Sequence, residues 1–430
     1  MQMMIDSLGV AKFSSPLRWA VNGATRIPYR IAREAGAVPG DDIDFEIAGP
    51  RKDLFFNPAR VRAAIVTCGG LCPGLNNVIR SLYYELTHAY GVPEVYGFQY
   101  GYQGLDPARG GEPIRLTDEL VDPIHKRGGT VIGTSRGPVD PVVAVDNLAW
   151  RGINILFCVG GDGTQRGALA LHQEAERRGY PLAVVGIPKT IDNDVGFVAR
   201  TFGYSTAVEA ARDIMDSAHM EARSVENGIS LVKVMGRHAG YIAAGATIAS
   251  QDVNFTLIPE VPFVLEGDGG FLEALTRRIR KRSHAVIVVA EGAGQDLLDR
   301  SGGETDASGN VKLQDIGLFL RQRIISHFQA TGLSAVVRYF DPSYVIRSRP
   351  ANCEDAILCD LYARHAVHAA MAGKTGLVIG NLHETFIHVP VEALVVEKKR
   401  LNPEGGWWHA VLAATGQPEQ FGPPEASGNP

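Results

Sequence analysis

The chain has 430 residues, 45% hydrophobic and 21% charged, a composition typical of globular proteins and long enough for two domains. Its net charge of −5 argues against general nucleic-acid binding, which needs a basic field, but leaves room for local arginine clusters that hold phosphates. No apolar run reaches the roughly 18 residues of a membrane span, the start MQMMIDSLGVAKFSS has no signal-peptide core, and five cysteines without a CxxC pair read as reduced thiols of a cytoplasmic protein.

Residues 1–60 have little periodicity and read as an N-terminal extension. A strand is expected over 63–68, running into GGLCPG, then a helix over 76–90 with Val78, Leu82, Leu86 and Ala89 on one face. Gly91 and Pro93 close that helix, and 95–98 reads as the next strand, which completes a βαβ unit. The glycines after the first strand serve either a tight turn or an anion bound by backbone amides. A second glycine-rich segment, GGTVIGTSRG at 128–137, carries Arg136 and reads as another strand exit.

A third apolar run, 155–159, turns through GGDGT into a helix with Ala168, Leu171 and Ala175 on one face. Arg177, Arg178, Gly179 and Pro181 stop that helix in the expected order. The strand at 182–187 then meets PKTIDND. Both strands end in charged residues, where α/β sheets bind ligands. Thr206 and Glu209 form a capping box, with Ala207, Ala211, Ile214, Met215 and Ala218 on the following helical face. Strands are expected over 229–235, 255–258 and 285–290, exiting into Gly236-Arg237, Pro259-Glu260 and Glu291. Their alternation with helices predicts a second α/β domain. Residues 292–311 read as an exposed loop, 318–330 and 353–372 as helices, 376–380 as a short strand, and 421–430 as a disordered tail.

Three groups of residues can carry chemistry. Asp162, between glycines at a strand exit, is either a turn-former or a carboxylate that holds Mg²⁺ beside nucleotide phosphates; Gly163 lets a phosphate approach the backbone. Asp192 and Asp194 flank Asn193. They are either a solvated loop or a general base with a second acid that orients a metal, next to Thr190 and to Lys189, a cation able to neutralise a transferring phosphoryl group. Arg338 and Arg347 can fork onto a phosphate monoester, or lie on the surface as ordinary arginines, and Met235-Gly236-Arg237 has the same ambiguity. His383, Glu384 and His388 do not have the spacing of a zinc motif.

Taken together, TCGGLCPGLN, GGTVIGTSRG, VGGDGTQRGA, PKTIDND, VKVMGRHAGY, LIPE and the spacing of Arg338, Tyr344 and Arg347 resemble the 6-phosphofructokinase family over roughly residues 45–400. AGPRKDLFF and FDPSYVIRS are more similar to the plant and trypanosome-type ATP-dependent branch than to the short bacterial enzymes. The resemblance implies two Rossmann-like three-layer α/β domains with mostly parallel sheets and an active site in the cleft between them. Residues 61–203 with 347–400 would be the nucleotide-binding domain, and 204–346 with 401–430 the sugar-phosphate domain with the C-terminal tail.

The implied reaction moves the γ-phosphoryl of ATP to the 1-hydroxyl of fructose 6-phosphate. Asp192 would be the general base, with Asp194, Arg237, Thr190 and Lys189 in the catalytic set. Asp162 would hold Mg²⁺, helped by Asp194. Gly69, Gly70, Tyr102, Arg136, Gly161, Gly163 and Thr164 would line the nucleotide. Thr190, Asp192, Met235, Gly236, Arg237, Glu260, Arg338, Tyr344 and Arg347 would hold the sugar phosphate, some arginines reaching a neighbouring subunit of a homo-oligomer, a tetramer before a dimer.

Four positions depart from patterns within the family. Lys189 is shared with pyrophosphate-dependent members, whereas Gly163 stands where those carry a second acid that would crowd the α-phosphate of ATP. Gly228 stands where short bacterial members have an arginine, and Tyr344 replaces a common histidine. The readings that remain are an ATP-dependent phosphofructokinase, a pyrophosphate-dependent reversible one, a kinase of another substrate sharing GGDGT, and a non-catalytic sugar-phosphate-binding subunit.

Overall fold

The computed structural model describes residues 3–31, 43–298, 312–396 and 398–422. Part of the loop expected at 292–311 and most of the tail expected at 421–430 lie outside the described residues. Two compact units emerge: the described residues of Met1–Gly203 and Arg347–Lys399, and those of Tyr204–Thr305, Val311–Ile346 and Arg400–Pro430.

The first unit is built on a nine-stranded sheet. Its centre is parallel: Leu377–Leu382, Ala183–Pro188, Ile155–Gly160, Arg62–Thr67 and Glu94–Gly97 lie side by side in that order. Ile155–Gly160 and Ala183–Pro188 are buried at every position, so helices must cover both faces, and their sequences are accordingly continuous apolar runs. One face packs Ala64, Val66, Leu156, Cys158 and Val184 against Ala144 and Leu148 of the helix Pro141–Trp150 and Ala168, Leu171 and Ala175 of Asp162–Arg177. Helix Cys353–Met371 covers Ala183–Pro188 and packs against Leu75–Tyr84.

The sheet edges are antiparallel. Ile114–Arg115 closes one side. On the other, Thr385–Pro390 pairs with Leu377–Leu382, Asp44–Ile47 with Thr385–Pro390, and Arg26–Pro28 with Asp44–Ile47. The N-terminal residues are therefore woven into this unit, and Asp6–Ser7 and Phe13–Ser14 also pair with later segments. These strands of two to four residues carry charges such as Asp44 and Glu46, and so leave no period-2 apolar signal.

The second unit has a fully parallel four-stranded sheet in the order Phe255–Leu257, His284–Ala290, Gly228–Val234, Val336–Phe340. Helices Phe271–Arg282 and Ile316–Ala330 pack on one side over Ile229, Leu231, Ile287 and Val289. Tyr204–Arg223 and Tyr241–Ser250 also pack on the sheet. The α/β class with mostly parallel sheets holds.

Two local expectations are corrected. Segment 128–137 does not leave a strand. It follows a short 3₁₀ turn, Ile124–Lys126, and lies beside the end of the strand Arg62–Thr67 through a Cys68–Ser135 bridge. The helix read as capped at Thr206 starts at Tyr204, which places Thr206 and Glu209 inside its first two turns. Among the described residues, no helix is long and apolar enough to cross a membrane.

Candidate active site

In the first unit, the loops that leave three adjacent parallel strands converge. The strand Arg62–Thr67 exits into Gly69-Gly70. Gly69 has φ +87°, a left-handed conformation that suits glycine. Three cations meet this turn. Lys189 donates from Nζ to the carbonyl of Gly70 at 2.8 Å. A Cβ placed on Gly70 would lie 3.5 Å from a guanidinium nitrogen of Arg136 and 3.6 Å from one of Arg347. Lys189 is buried, and burial pulls its pKa below the usual lysine value, with Arg136 adding to the fall and Asp192 opposing it. A glycine turn ringed by two guanidinium groups and an ammonium is built for an anion.

The strand Ile155–Gly160 exits through Gly161, which caps the helix Asp162–Arg177. Asp162 lies in the first turn of that helix, where the helix dipole favours a negative charge, and its side chain is 37% exposed. Gly163 is exposed next to it. Thr164 is buried and fills the space that a Cβ on Gly160 would occupy.

Tyr102 is a correction. Instead of lining a nucleotide surface it is 3% exposed within the core, and its hydroxyl donates to the carbonyl of Thr164 at 2.5 Å. A Cβ on Gly167 would run into its ring. Its large apolar body drives it under the helix, where it supports the first turn from beneath.

The strand Ala183–Pro188 exits into Lys189 and the TIDND segment, which is held by its own polar groups. Thr190 Oγ1 donates to Asp194 Oδ1 at 2.7 Å and accepts from the Asp192 amide at 3.1 Å. Asn193 takes φ +55°, a conformation asparagine tolerates, and its Oδ1 accepts the Thr201 amide at 3.1 Å. The Thr201 hydroxyl closes the loop onto the Thr190 carbonyl at 2.7 Å. Burial raises the pKa of Asp194. The Thr190 hydroxyl opposes that rise, the charge of Asp162 adds to it, and Lys398 opposes it. Asp162 and Asp194 thus feel one another across adjacent strand exits.

Sequence reasoning missed Lys398 and Lys399. Lys398 Nζ lies 3.4 Å from Asp162 Oδ2, and the Lys399 amide donates to the Asp194 carbonyl at 3.2 Å. The only signal for them was a short basic run, Lys398-Lys399-Arg400, of the kind that normally faces solvent.

In the second unit, the strand Gly228–Val234 exits into Met235-Gly236-Arg237. Met235 is buried and Arg237 half-buried. Gly236 has φ +130°, and a Cβ there would lie 2.7 Å from the carbonyl of Ala239, so glycine is required. Glu260 sits at the N-terminus of the helix Tyr241–Ser250 and accepts the amides of Gly240 at 3.0 Å and Leu401 at 2.9 Å. Burial raises its pKa against these amide bonds.

The structure does not bring Arg338 to this strand exit. It lies on the edge strand opposite Ser230, about 16 Å along the sheet from Met235 at roughly 3.3 Å per residue. Its guanidinium binds the carboxylate of Glu221 at 3.0 Å and the Glu221 carbonyl at 3.0 Å. Tyr344 is 79% exposed on the helix Ser343–Arg347.

The donor set at the candidate metal position consists of hard carboxylate oxygens, and no group of three or more His, Cys, Asp or Glu that could hold a metal occurs among the described residues. A half-exposed carboxylate, Asp162, with Asp194 at the adjacent strand exit, suits Mg²⁺, which keeps several waters and binds through one or two carboxylates plus substrate phosphates.

Residues 62–370 match the family described as "Phosphofructokinase". The chain is 46% identical over 430 residues to an "ATP-dependent 6-phosphofructokinase" of Borreliella burgdorferi, covering 96% of both chains. It is 44% identical to the protein of that name from Amycolatopsis methanolica, covering 98% of this chain and 96% of the relative. It is 47% identical to "ATP-dependent 6-phosphofructokinase 7" of Arabidopsis thaliana, covering 96% and 85%. A crystal structure of a pyrophosphate-dependent phosphofructokinase from Marinobacter aquaeolei superposes with a TM-score of 0.68 at 22% identity, covering 84% of this chain and 93% of that one, which is a likeness of fold alone.

Proposed function

The chain belongs to the phosphofructokinase family, and on that premise we propose that it transfers the γ-phosphoryl of ATP to the 1-hydroxyl of fructose 6-phosphate, giving fructose 1,6-bisphosphate and ADP. The observation that carries this reading is the anion turn at Gly69-Gly70, ringed by Lys189, Arg136 and Arg347 beside the strand exits that hold Asp162 and Asp192. ATP is favoured as donor because the residue after Asp162 is an exposed glycine, which leaves room for an α-phosphate, and because the full-length relatives carry ATP dependence in their names.

In this reading Gly69, Gly70, Gly161, Gly163, Thr164 and Arg136 border the nucleotide phosphates. Asp162 would hold Mg²⁺, which when bound neutralises charge on the phosphates. Asp192 accepts the proton of the attacking 1-hydroxyl as the O–P bond forms, a contribution of about 10²–10⁴-fold. Thr190 fixes the Asp192 backbone, and Asp194 fixes Thr190. Met235, Gly236, Arg237, Glu260 and Tyr344, with Arg347, serve the sugar phosphate.

Arg338, turned away from its own unit's strand exit, suits contact with a neighbouring subunit, which supports a homo-oligomer, a tetramer before a dimer. Five free cysteines, four of them buried, fit a reducing cytoplasmic setting. A coupled assay that detects fructose 1,6-bisphosphate from ATP and fructose 6-phosphate tests the reading, and absence of that product overturns it.

A further inference from the structure

Lys398 and Lys399 lie beyond the family pattern, which ends at residue 370. Yet the short segment that carries them is laid against the TIDND loop. Lys398 forms an antiparallel bridge with Val195, and the Lys399 amide donates to the carbonyl of Asp194 at 3.2 Å. The two side chains then diverge. Lys399 turns inward and donates from Nζ to the carbonyls of Val198 at 3.1 Å and Ala199 at 2.7 Å, which anchors the segment. Lys398 turns outward to Asp162, with Nζ 3.4 Å from Oδ2. It is the cation that compensates the carboxylate best placed to hold a metal.

That pair is not built for permanence. The two side chains are 42% and 37% exposed, and ion pairs this open are weakly held. A magnesium-bound nucleotide would bring its own positive charge to Asp162 and a run of phosphate oxygens beside it. The ammonium would then lose its reason to stay on Asp162 and gain stronger acceptors within reach of its four-carbon stem. The Lys399 anchor keeps the base of that stem at the strand exits while the tip moves.

We propose that Lys398 is a nucleotide-binding residue: it rests on Asp162 in the ligand-free protein and transfers to the phosphates of the magnesium nucleotide when that binds. This rests on the ATP-dependent reading above.

The test is calorimetric binding of a non-hydrolysable ATP analogue with Mg²⁺ to wild type, Lys398→Met and Lys398→Arg. Lys398→Met should bind about tenfold more weakly, the loss of one charge-assisted phosphate contact. Lys398→Arg should recover most of that loss, and the KM for fructose 6-phosphate should stay within about twofold in both. A second readout needs no nucleotide. With the ammonium gone, Mg²⁺ alone should raise the unfolding temperature of Lys398→Met more than that of wild type. Unchanged analogue affinity in Lys398→Met, or equal Mg²⁺ shifts in the two proteins, overturns the role of Lys398. Failure of wild type itself to bind the analogue overturns the ATP reading instead.

Discussion

Lys189 donates to the carbonyl of Gly70 at 2.8 Å, so its charge is held within the glycine turn. By sequence Lys189 was the residue that pointed toward pyrophosphate. Its geometry makes it a brace for the turn that Arg136 and Arg347 flank. Lys189→Met removes a buried charge together with its bond, and these effects on stability partly cancel. The expected outcome is a modest change in unfolding temperature, a KM for ATP raised roughly three- to tenfold, and no gain of pyrophosphate turnover. Pyrophosphate turnover lost from a wild type that had it would instead make Lys189 a direct phosphate ligand.

Gly163→Asp places a carboxylate on the exposed first turn of the helix, beside Asp162. It would crowd and repel the α-phosphate. ATP kcat/KM should fall by at least about 10²-fold while the KM for fructose 6-phosphate moves less than about threefold. Parallel loss for both substrates in steady-state kinetics would contradict the assignment of this glycine to the donor.

Asp192→Ser keeps a small polar group on a loop fixed by Thr190, Asn193 and Thr201. The kcat should fall by about 10²–10⁴-fold with little change in either KM. A retained kcat in a stopped-time product assay would remove Asp192 as the base.

Acid sensitivity should come from a buried histidine cluster in the first unit. Burial depresses the pKa of His365 to about 4 and of His368 to about 3, with neighbouring positive groups adding to each fall. The unfolded chain protonates these rings near pH 6.5 and the folded chain does not, so the stability they confer is complete above about 6.5 and is lost as pH falls toward 4. The urea midpoint should drop across that window. His365→Phe, which keeps the stacked contact with Phe386 at 4.5 Å between ring centres, should flatten the drop. An unchanged slope would contradict the neutral buried state.

Much of this was legible in the sequence, for reasons visible in particular residues. Ile155–Gly160 and Ala183–Pro188 are apolar throughout because helices cover both sides of the sheet, and a run bounded by Gly and Pro is easy to recognise. The residues at their exits stood out because charge there has no packing role. What stayed hidden depends on tertiary placement. Tyr102 has a polar tip, but its ring is drawn into the core. Arg338 has the spacing of a phosphate ligand, but within its own unit it binds Glu221. Lys398 sits about 200 residues from the loop it joins, and no local pattern encodes that contact.

The most direct measurement compares initial rates with ATP and with pyrophosphate, side by side, at fixed fructose 6-phosphate and Mg²⁺. The account predicts saturable turnover with ATP and at least about 10²-fold less with pyrophosphate. Turnover with pyrophosphate and none with ATP would contradict it.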